Sequence, residues 1–216
     1  MTTRLVIDKG ASFRELEPAA EILLKGGLIV GPTQSFYAFM ALADKPQALE
    51  RLARLKTGRS LLQPFLLLID SIPRAACYAR ETRENNEAAK LLMDRFWPGL
   101  LTLLFTGHKG LHPLILGQAN TVGLRVEGLD LVRRLIRLVD RGITGTSANR
   151  HHAPPPTTAD EVLREFDGLV DLVLDAGPTL GQASSTIVDV SGAKPWIFRT
   201  GAIPRADLEA ICPNLK

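Results

Sequence analysis

Two periodicities run through the apolar positions of the chain. Leu16, Ala19, Ala20, Leu23 and Leu24 recur at helical spacing behind Ser12 and Glu15, a Ser-x-x-Glu capping box, and predict a helix over 13–25. Ala48, Leu49, Leu52, Ala53 and Leu55 predict a second helix up to Lys56, with Asp44 as its N-cap and Pro46 near its start. Short apolar runs at 28–30, 65–69, 100–105, 143–146 and 169–174 predict buried strands. Residues 121–126 alternate, with Val122, Leu124 and Val126 on one face and Thr121, Gly123 and Arg125 on the other. Further strands are expected at 185–190 and 196–199. Further helices are expected at 84–96, 129–139, from 157 or 158 to 166, and 203–211, with a short one starting at Ser71. The segments 108–118, 150–157 and 175–183 read as loops, the second holding three consecutive prolines. Strands interleave with helices, with no repeat period and no Gly/Ser/Pro-rich linker. The expectation is one α/β domain over 1–216, a twisted mixed sheet with flanking helices. Strand order does not follow from the pattern.

Composition narrows the class without fixing the chemistry. The chain has 216 residues, 45% hydrophobic and 23% charged, the proportions of a globular protein with an ample core. The formal net charge of +3 permits anionic substrates or RNA and demands neither. Cys77 and Cys212 are too far apart in sequence for a paired zinc motif, so no metal site is expected, and two distant thiols fit a reducing compartment. The first residues lack the apolar region of a signal peptide, and no apolar run reaches ~18 residues, so a cytoplasmic protein without a membrane span is expected.

The polar residues with chemical potential sit at strand ends. After the 28–30 run, Pro32 is expected to end the regular pairing because it has no N–H to donate, and Thr33, Gln34, Ser35 and Tyr37 leave the strand end together. That puts hydroxyl and amide groups where open α/β proteins form ligand crevices. Lys56 and Arg59 add two cations suited to a polyanion, although cations near a helix C-terminus also serve the macrodipole. Arg125, in a short strand, must meet either a carboxylate or an anionic ligand. Thr146, Ser147 and Asn149 form a second polar strand end, or a plain turn. Ser185 and Thr186 can be ordinary strand residues, and Arg199 a strand-end cation. There is no Gly-x4-Gly-Lys-Ser/Thr loop, Gly-x-Gly-x-x-Gly or nucleophile elbow. A nucleotide enzyme of this sequence must therefore hold phosphates with side chains and strand-end backbone.

Taken in order, these blocks resemble the signature of the Sua5/YciO/YrdC family. Pro32 to Tyr37 resembles Pro-Thr-Glu-Thr/Ser-x-Tyr, and Leu55-Lys56 with Arg59 resembles Leu-Lys-x-Arg. Trp97-Pro98-Gly99-Leu100-Leu101-Thr102 resembles Trp-Pro-Gly-Pro-Leu-Thr, and Val122 to Val126 resembles Val-Gly-Val-Arg-x-Pro. Ser147-Ala148-Asn149 resembles Ser-Ala-Asn, Ser185 to Asp189 resembles Ser-Thr-Ile-Val-Asp, and Phe198 to Ile203 resembles Leu-Arg-x-Gly-x-Ile. The resemblance covers about 26–211. The chain departs from the pattern at Gln34, where an acid is usual, and at Ala38 and Met40, where glycines are usual. It departs also in the Lys56–Arg59 spacing, at Leu68 in place of a histidine, at Glu127 near an expected proline, and at His151 and His152 in place of Ser-Gly.

The resemblance implies a YrdC-like fold with an anionic-ligand cleft. It implies an L-threonylcarbamoyladenylate (threonylcarbamoyl-AMP) synthase, a nucleotidyltransferase that combines L-threonine, bicarbonate or CO2, and ATP with Mg2+ and releases pyrophosphate on the route to t6A37 in tRNA. Partners would be the t6A-transferase machinery and RNA or tRNA, with double-stranded RNA binding as a family property. Carried over motif by motif, Lys56, Arg59, Ser147 and Asn149 hold the phosphates. Thr33, Ser35, Tyr37 and Arg125 bind the threonine or carbamate end. Thr146, Ser185, Thr186 and Arg199 complete the nucleotide site, with Arg125 also lining the acyl-adenylate. The alternatives are a YciO-like paralogue with weak or different adenylate activity, and a non-catalytic RNA-binding module.

Overall fold

The computed structural model describes residues 1–56, 63–80, 86–117, 119–150, 152–181 and 183–216. The chain begins with strand β1 (Thr3–Val6) and helix α1 (Phe13–Leu24), whose Ser12–Glu15 capping box closes in both directions. β2 (Ile29–Pro32) and β3 (Tyr37–Met40) form an antiparallel hairpin, followed by α2 (Pro46–Leu55) and β4 (Leu67–Ile69). A 3-10 turn at Pro73–Cys77 precedes α3 (Glu87–Phe96), β5 (Leu101–Thr106), α4 (Pro113–Leu116), β6 (Thr121–Val126) and α5 (Asp130–Val139). β7 (Ile143–Thr144), β8 (Thr146–Ser147), α6 (Ala159–Phe166), β9 (Leu172–Asp175), β10 (Thr186–Asp189), β11 (Trp196–Arg199) and α7 (Arg205–Ile211) complete the chain.

The expected mixed sheet is present as two mixed sheets. One runs β1-β9-β2-β3-β8 and the other β11-β10-β5-β6-β4-β7. Consecutive residues of the first sheet alternate between two apolar clusters. Val30, Phe39 and Val173 face the cluster shared with the second sheet, α2 and α6. Ile29, Met40, Leu172 and Leu174 face the cluster under α1 and α5. Covering both faces explains why these strands read as unbroken apolar runs instead of alternating ones.

The sheets meet at Gly145. The strand expected over 143–146 is two two-residue strands, β7 in one sheet and β8 in the other, with Gly145 between them. A Cβ on Gly145 would lie 2.6 Å from Leu68 Cγ, so only glycine lets the chain cross this closely.

Other departures from the sequence pattern have local causes. Asp44 is not the cap of α2. Lys45 occupies that position with no side-chain bond, and the Asp44 carboxylate pairs with Arg141 at 2.8 Å. Among the described residues α3 starts at Glu87 behind an Asn86 cap, and residues 84 and 85 of the expected helix lie outside the description. The sequence pattern assigns no element to 3–6, 37–40 or 113–116, where β1, β3 and α4 lie. Trp97 is a buried anchor, its Nε1 donating to Leu101 O at 2.7 Å.

Gly145→Val is predicted to lower stability to urea by roughly 1–3 kcal/mol through overpacking against Leu68. Gly192→Ala, where nothing lies within 4 Å of the new Cβ, is predicted to stay within about 0.5 kcal/mol of the parent.

Candidate active site

A cleft of ≈ 510 Å³ opens where the two sheets converge. Its floor is the outward face of the second sheet. Along β6 the core takes Val122, Leu124 and Val126, leaving Thr121, Gly123 and Arg125 for the cleft. On β5 the same alternation presents Thr102 and Leu104, and beside it come Ser185 and Ile187. Pairing of Leu103 with Leu124 sets Thr102 next to Arg125, and the buried Thr102 and Ser185 hydroxyls share a 2.9 Å hydrogen bond.

One wall is the β2–β3 hairpin turn. Pro32 does not end the pairing; it is the last residue of β2 and faces Tyr37, the first of β3. Thr33 Oγ1 donates to Phe36 O at 2.7 Å and accepts from the Ser35 and Phe36 N–H groups, so the turn is held by its own hydroxyl. Tyr37 borders the cleft, but its hydroxyl points to the end of β9, donating to Gly177 O at 2.8 Å and Asp175 Oδ1 at 3.3 Å. Burial, and then the Asp175 charge, push the Tyr37 hydroxyl far above its ordinary range, so it remains a neutral donor. Burial pushes Asp175 the other way from ionisation, yet Arg4, bonded at 2.6 Å, and the Gly177 N–H outweigh it and hold the carboxyl below its usual range.

The opposite wall is β8 and the residues after it. Lys56, at the C-terminus of α2, is buried and donates to Ser147 O at 3.0 Å, Asn149 O at 2.7 Å and Asn149 Oδ1 at 2.9 Å. Asn149 Oδ1 also accepts from Ser147 Oγ at 2.7 Å, and its amide donates to Ala153 O. The ammonium thus organises the Ser-Ala-Asn segment as well as facing the cleft. His152 lines the same lip at φ +66°, the left-handed conformation a glycine would adopt freely.

The charge balance of the cleft is one-sided. Lys56, Arg125, Arg150 and Arg199 line it, and no described lining residue is Asp or Glu. Two of these cations are compensated from behind: Arg150 pairs with Glu165 at 3.1 Å and Arg125 Nη2 pairs with the fully buried Glu127. Arg199 donates to neutral oxygens of Ser185, at 2.8 Å to the carbonyl. Burial, and then the charge of Arg125, pull the Arg199 pKa below its usual value. Among the described residues no three His, Cys, Asp or Glu side chains gather into a metal site.

Most residues singled out from sequence converge here: Thr33, Ser35, Tyr37, Lys56, Arg125, Thr146, Ser147, Asn149, Ser185 and Arg199 all line the cleft. Arg59 and His151 lie outside the described residues. Thr186 is placed elsewhere. Its hydroxyl donates to Ile203 O at 2.8 Å and accepts from Gly201 N and Ile203 N, shaping the turn after β11 instead of the cleft. Leu68 is buried beneath Gly145. Thr102, Thr121 and Gly123 were not singled out. The signal for two of them was present, since Thr121 and Gly123 share the polar face of an alternating strand with Arg125.

The Sua5/YciO/YrdC family model, described under the heading telomere recombination, matches residues 21–201. The threonylcarbamoyl-AMP synthases of Pyrococcus abyssi and Bacillus subtilis are each 31% identical to this chain over 198 residues. The matches cover 92% and 91% of this chain but 57% and 56% of those proteins, so the chain spans little more than half the length of these curated relatives. The crystal structure of P. abyssi Sua5 complexed with L-threonine superposes with a TM-score of 0.91 at 28% identity, covering all of this chain and 63% of that one. A match of this extent, together with strand-end motifs that meet in one cleft, shows that the chain belongs to the Sua5/YciO/YrdC family.

Proposed function

We propose that the cleft makes threonylcarbamoyl-AMP from L-threonine, bicarbonate or CO2, and ATP, acting as a nucleotidyltransferase that releases pyrophosphate and serves t6A formation in tRNA. The observation that carries this reading is a cleft lined by four cations and several hydroxyls with no carboxylate among its described lining residues. Such a lining suits a polyanion. The threonylcarbamoyl-AMP synthase name of the relatives, and the L-threonine in the P. abyssi Sua5 complex, support the substrate choice.

The chemistry asks little of the protein beyond position and charge. The threonine amine adds to CO2 and loses a proton, giving a carbamate. A carbamate oxygen then attacks the α-phosphorus of ATP, and the bond to pyrophosphate breaks. No protein nucleophile takes part, so the residues work by alignment and by stabilising negative charge. Lys56, Ser147 and Asn149, with Arg59, hold the phosphates. Arg199, Ser185 and Thr146 line the nucleotide. Thr33, Ser35 and Arg125 border the amino-acid end, and Tyr37 braces that wall through Asp175 and Gly177. Mg2+ enters as part of the MgATP substrate, in keeping with described lining residues that offer it no carboxylate. The working unit in this reading is one domain spanning 1–216. It acts in the cytoplasm, on the route that hands its product to the tRNA-modifying machinery. No helix among the described residues is long and apolar enough to cross a membrane.

The test is pyrophosphate release from ATP, with the adenylate identified by mass. Release that needs both threonine and bicarbonate, with threonylcarbamoyl-AMP as product, is the expected result. Nucleotide binding without that product would favour a YciO-like role, for which the His152 replacement at the cleft lip is the motivating observation. RNA binding without turnover would make the chain a binding module.

Arg199→Ala is predicted to lower kcat/KM for ATP by roughly ten- to a hundredfold, the effect of one charge-assisted contact of ~1.5–3 kcal/mol, with little change in Tm. Lys56→Ala is predicted to lose at least as much activity and also to lower Tm, because its ammonium holds Ser147 and Asn149. Steady-state kinetics and thermal melts on both variants check these outcomes.

A further inference from the structure

Glu127 is fully buried one residue beyond β6, and its carboxylate serves three segments at once. One oxygen pairs with Arg125 Nη2. The other accepts from Gln34 N at 2.8 Å, inside the hairpin turn, and from Leu129 N at 3.2 Å, ahead of α5. Its side chain therefore ties the floor cation to the turn carrying Thr33 and Ser35. Arg125 is 3% exposed, and its buried Nε–H has no hydrogen-bond partner among the described residues. Part of this guanidinium is thus committed to the protein, while one donor on it is unmet.

The charge consequence distinguishes two neighbouring cations of the cleft. Arg125 together with Glu127 is net neutral, whereas the described partners of Arg199 are neutral Ser185 oxygens. Free threonine is a zwitterion of net charge near zero, and pyrophosphate carries several negative charges. A compensated guanidinium can bond the amino-acid carboxylate without drawing in a phosphate chain, and without repelling the ammonium strongly. An uncompensated one beside Arg199 would join it in attracting phosphate.

We infer that Glu127 is a positioning and specificity-determining residue: by pairing with Arg125 beneath the Thr33–Ser35 turn, it reserves that guanidinium for an amino-acid carboxylate and excludes phosphate from it. The inference rests on the synthase reading above.

Calorimetric titration of the full chain with L-threonine and, separately, with pyrophosphate tests it, at low ionic strength. In Glu127→Gln, threonine affinity is expected to fall about tenfold and pyrophosphate affinity to rise severalfold. A merely structural role would move both affinities in the same direction, and that result, or no change in either, overturns the inference. Should Glu127→Gln fail to fold, the double variant Arg125→Gln/Glu127→Gln removes both charges. It is expected to weaken threonine with pyrophosphate affinity unchanged, and equal loss of both ligands overturns the inference. Product formation by the parent chain is measured in parallel. A parent that makes the adenylate while Glu127→Gln shifts both ligands alike sinks the inference alone. A parent that binds no threonine overturns the inference together with the reading it rests on.

Discussion

A guanidinium buried in a strand needs a counter-charge, and Arg125 finds it two residues along the chain in Glu127. Leaving either partner alone in this interior would cost roughly 3–5 kcal/mol, so the pair is fixed as a unit. Much of the cleft depends on that unit. The same carboxylate accepts the backbone N–H of Gln34, which fixes the hairpin turn of the first sheet over the floor of the second. Arg133, from α5, donates to the carbonyls of Glu127 and Gly128, so the helix that covers the first sheet is tied to the same corner. On the other side of the cleft Lys56 does for residues 147–149 what Glu127 does for the turn. Two buried charged groups thus hold the two walls in place.

That arrangement leaves the described lining of the cleft rich in cations and hydroxyls. Its cations differ in how they are compensated. Arg150 and Arg125 are neutralised from behind by Glu165 and Glu127. Arg199 is pulled down in pKa by burial and by Arg125, which is the electrostatic condition of a site waiting for negative charge. Hydroxyls on Thr33, Ser35, Thr102 and Ser185 supply direction without adding charge. The floor alternates so that every second residue of β6 belongs to the core, and this anchors the reactive face without flexible support.

The sequence made the helices and the buried strands legible, because Ser12 and Glu15 cap where the capping box predicts, the open start at 157 or 158 resolves to Thr158 with Glu161, and the apolar faces recur in phase. It also brought most of the cleft residues together, because they lie at strand ends in a recognisable order. It could not show that Ile143 to Ser147 changes sheets at Gly145, since a glycine in a short apolar run carries no mark of which neighbour it must let pass. It left Arg125 open between a carboxylate and a ligand. The structure gives it both a carboxylate and a place on the cleft, because the buried Glu127 just beyond the strand pairs with it. Thr186 looked equivalent to Ser185, but strand alternation turns the two hydroxyls to opposite sides, one to the cleft and one to the turn at Gly201.

In the proposed reading one cleft holds an amino acid and a nucleotide on differently compensated cations. A crystal structure of the chain with L-threonine and a non-hydrolysable ATP analogue is the decisive measurement. The expected result is the threonine carboxylate at Arg125 beneath the Thr33–Ser35 turn, with the phosphate chain at Lys56 and Arg199. Phosphate oxygens bonded to Arg125 with the amino acid elsewhere, or both ligands outside this cleft, would contradict it.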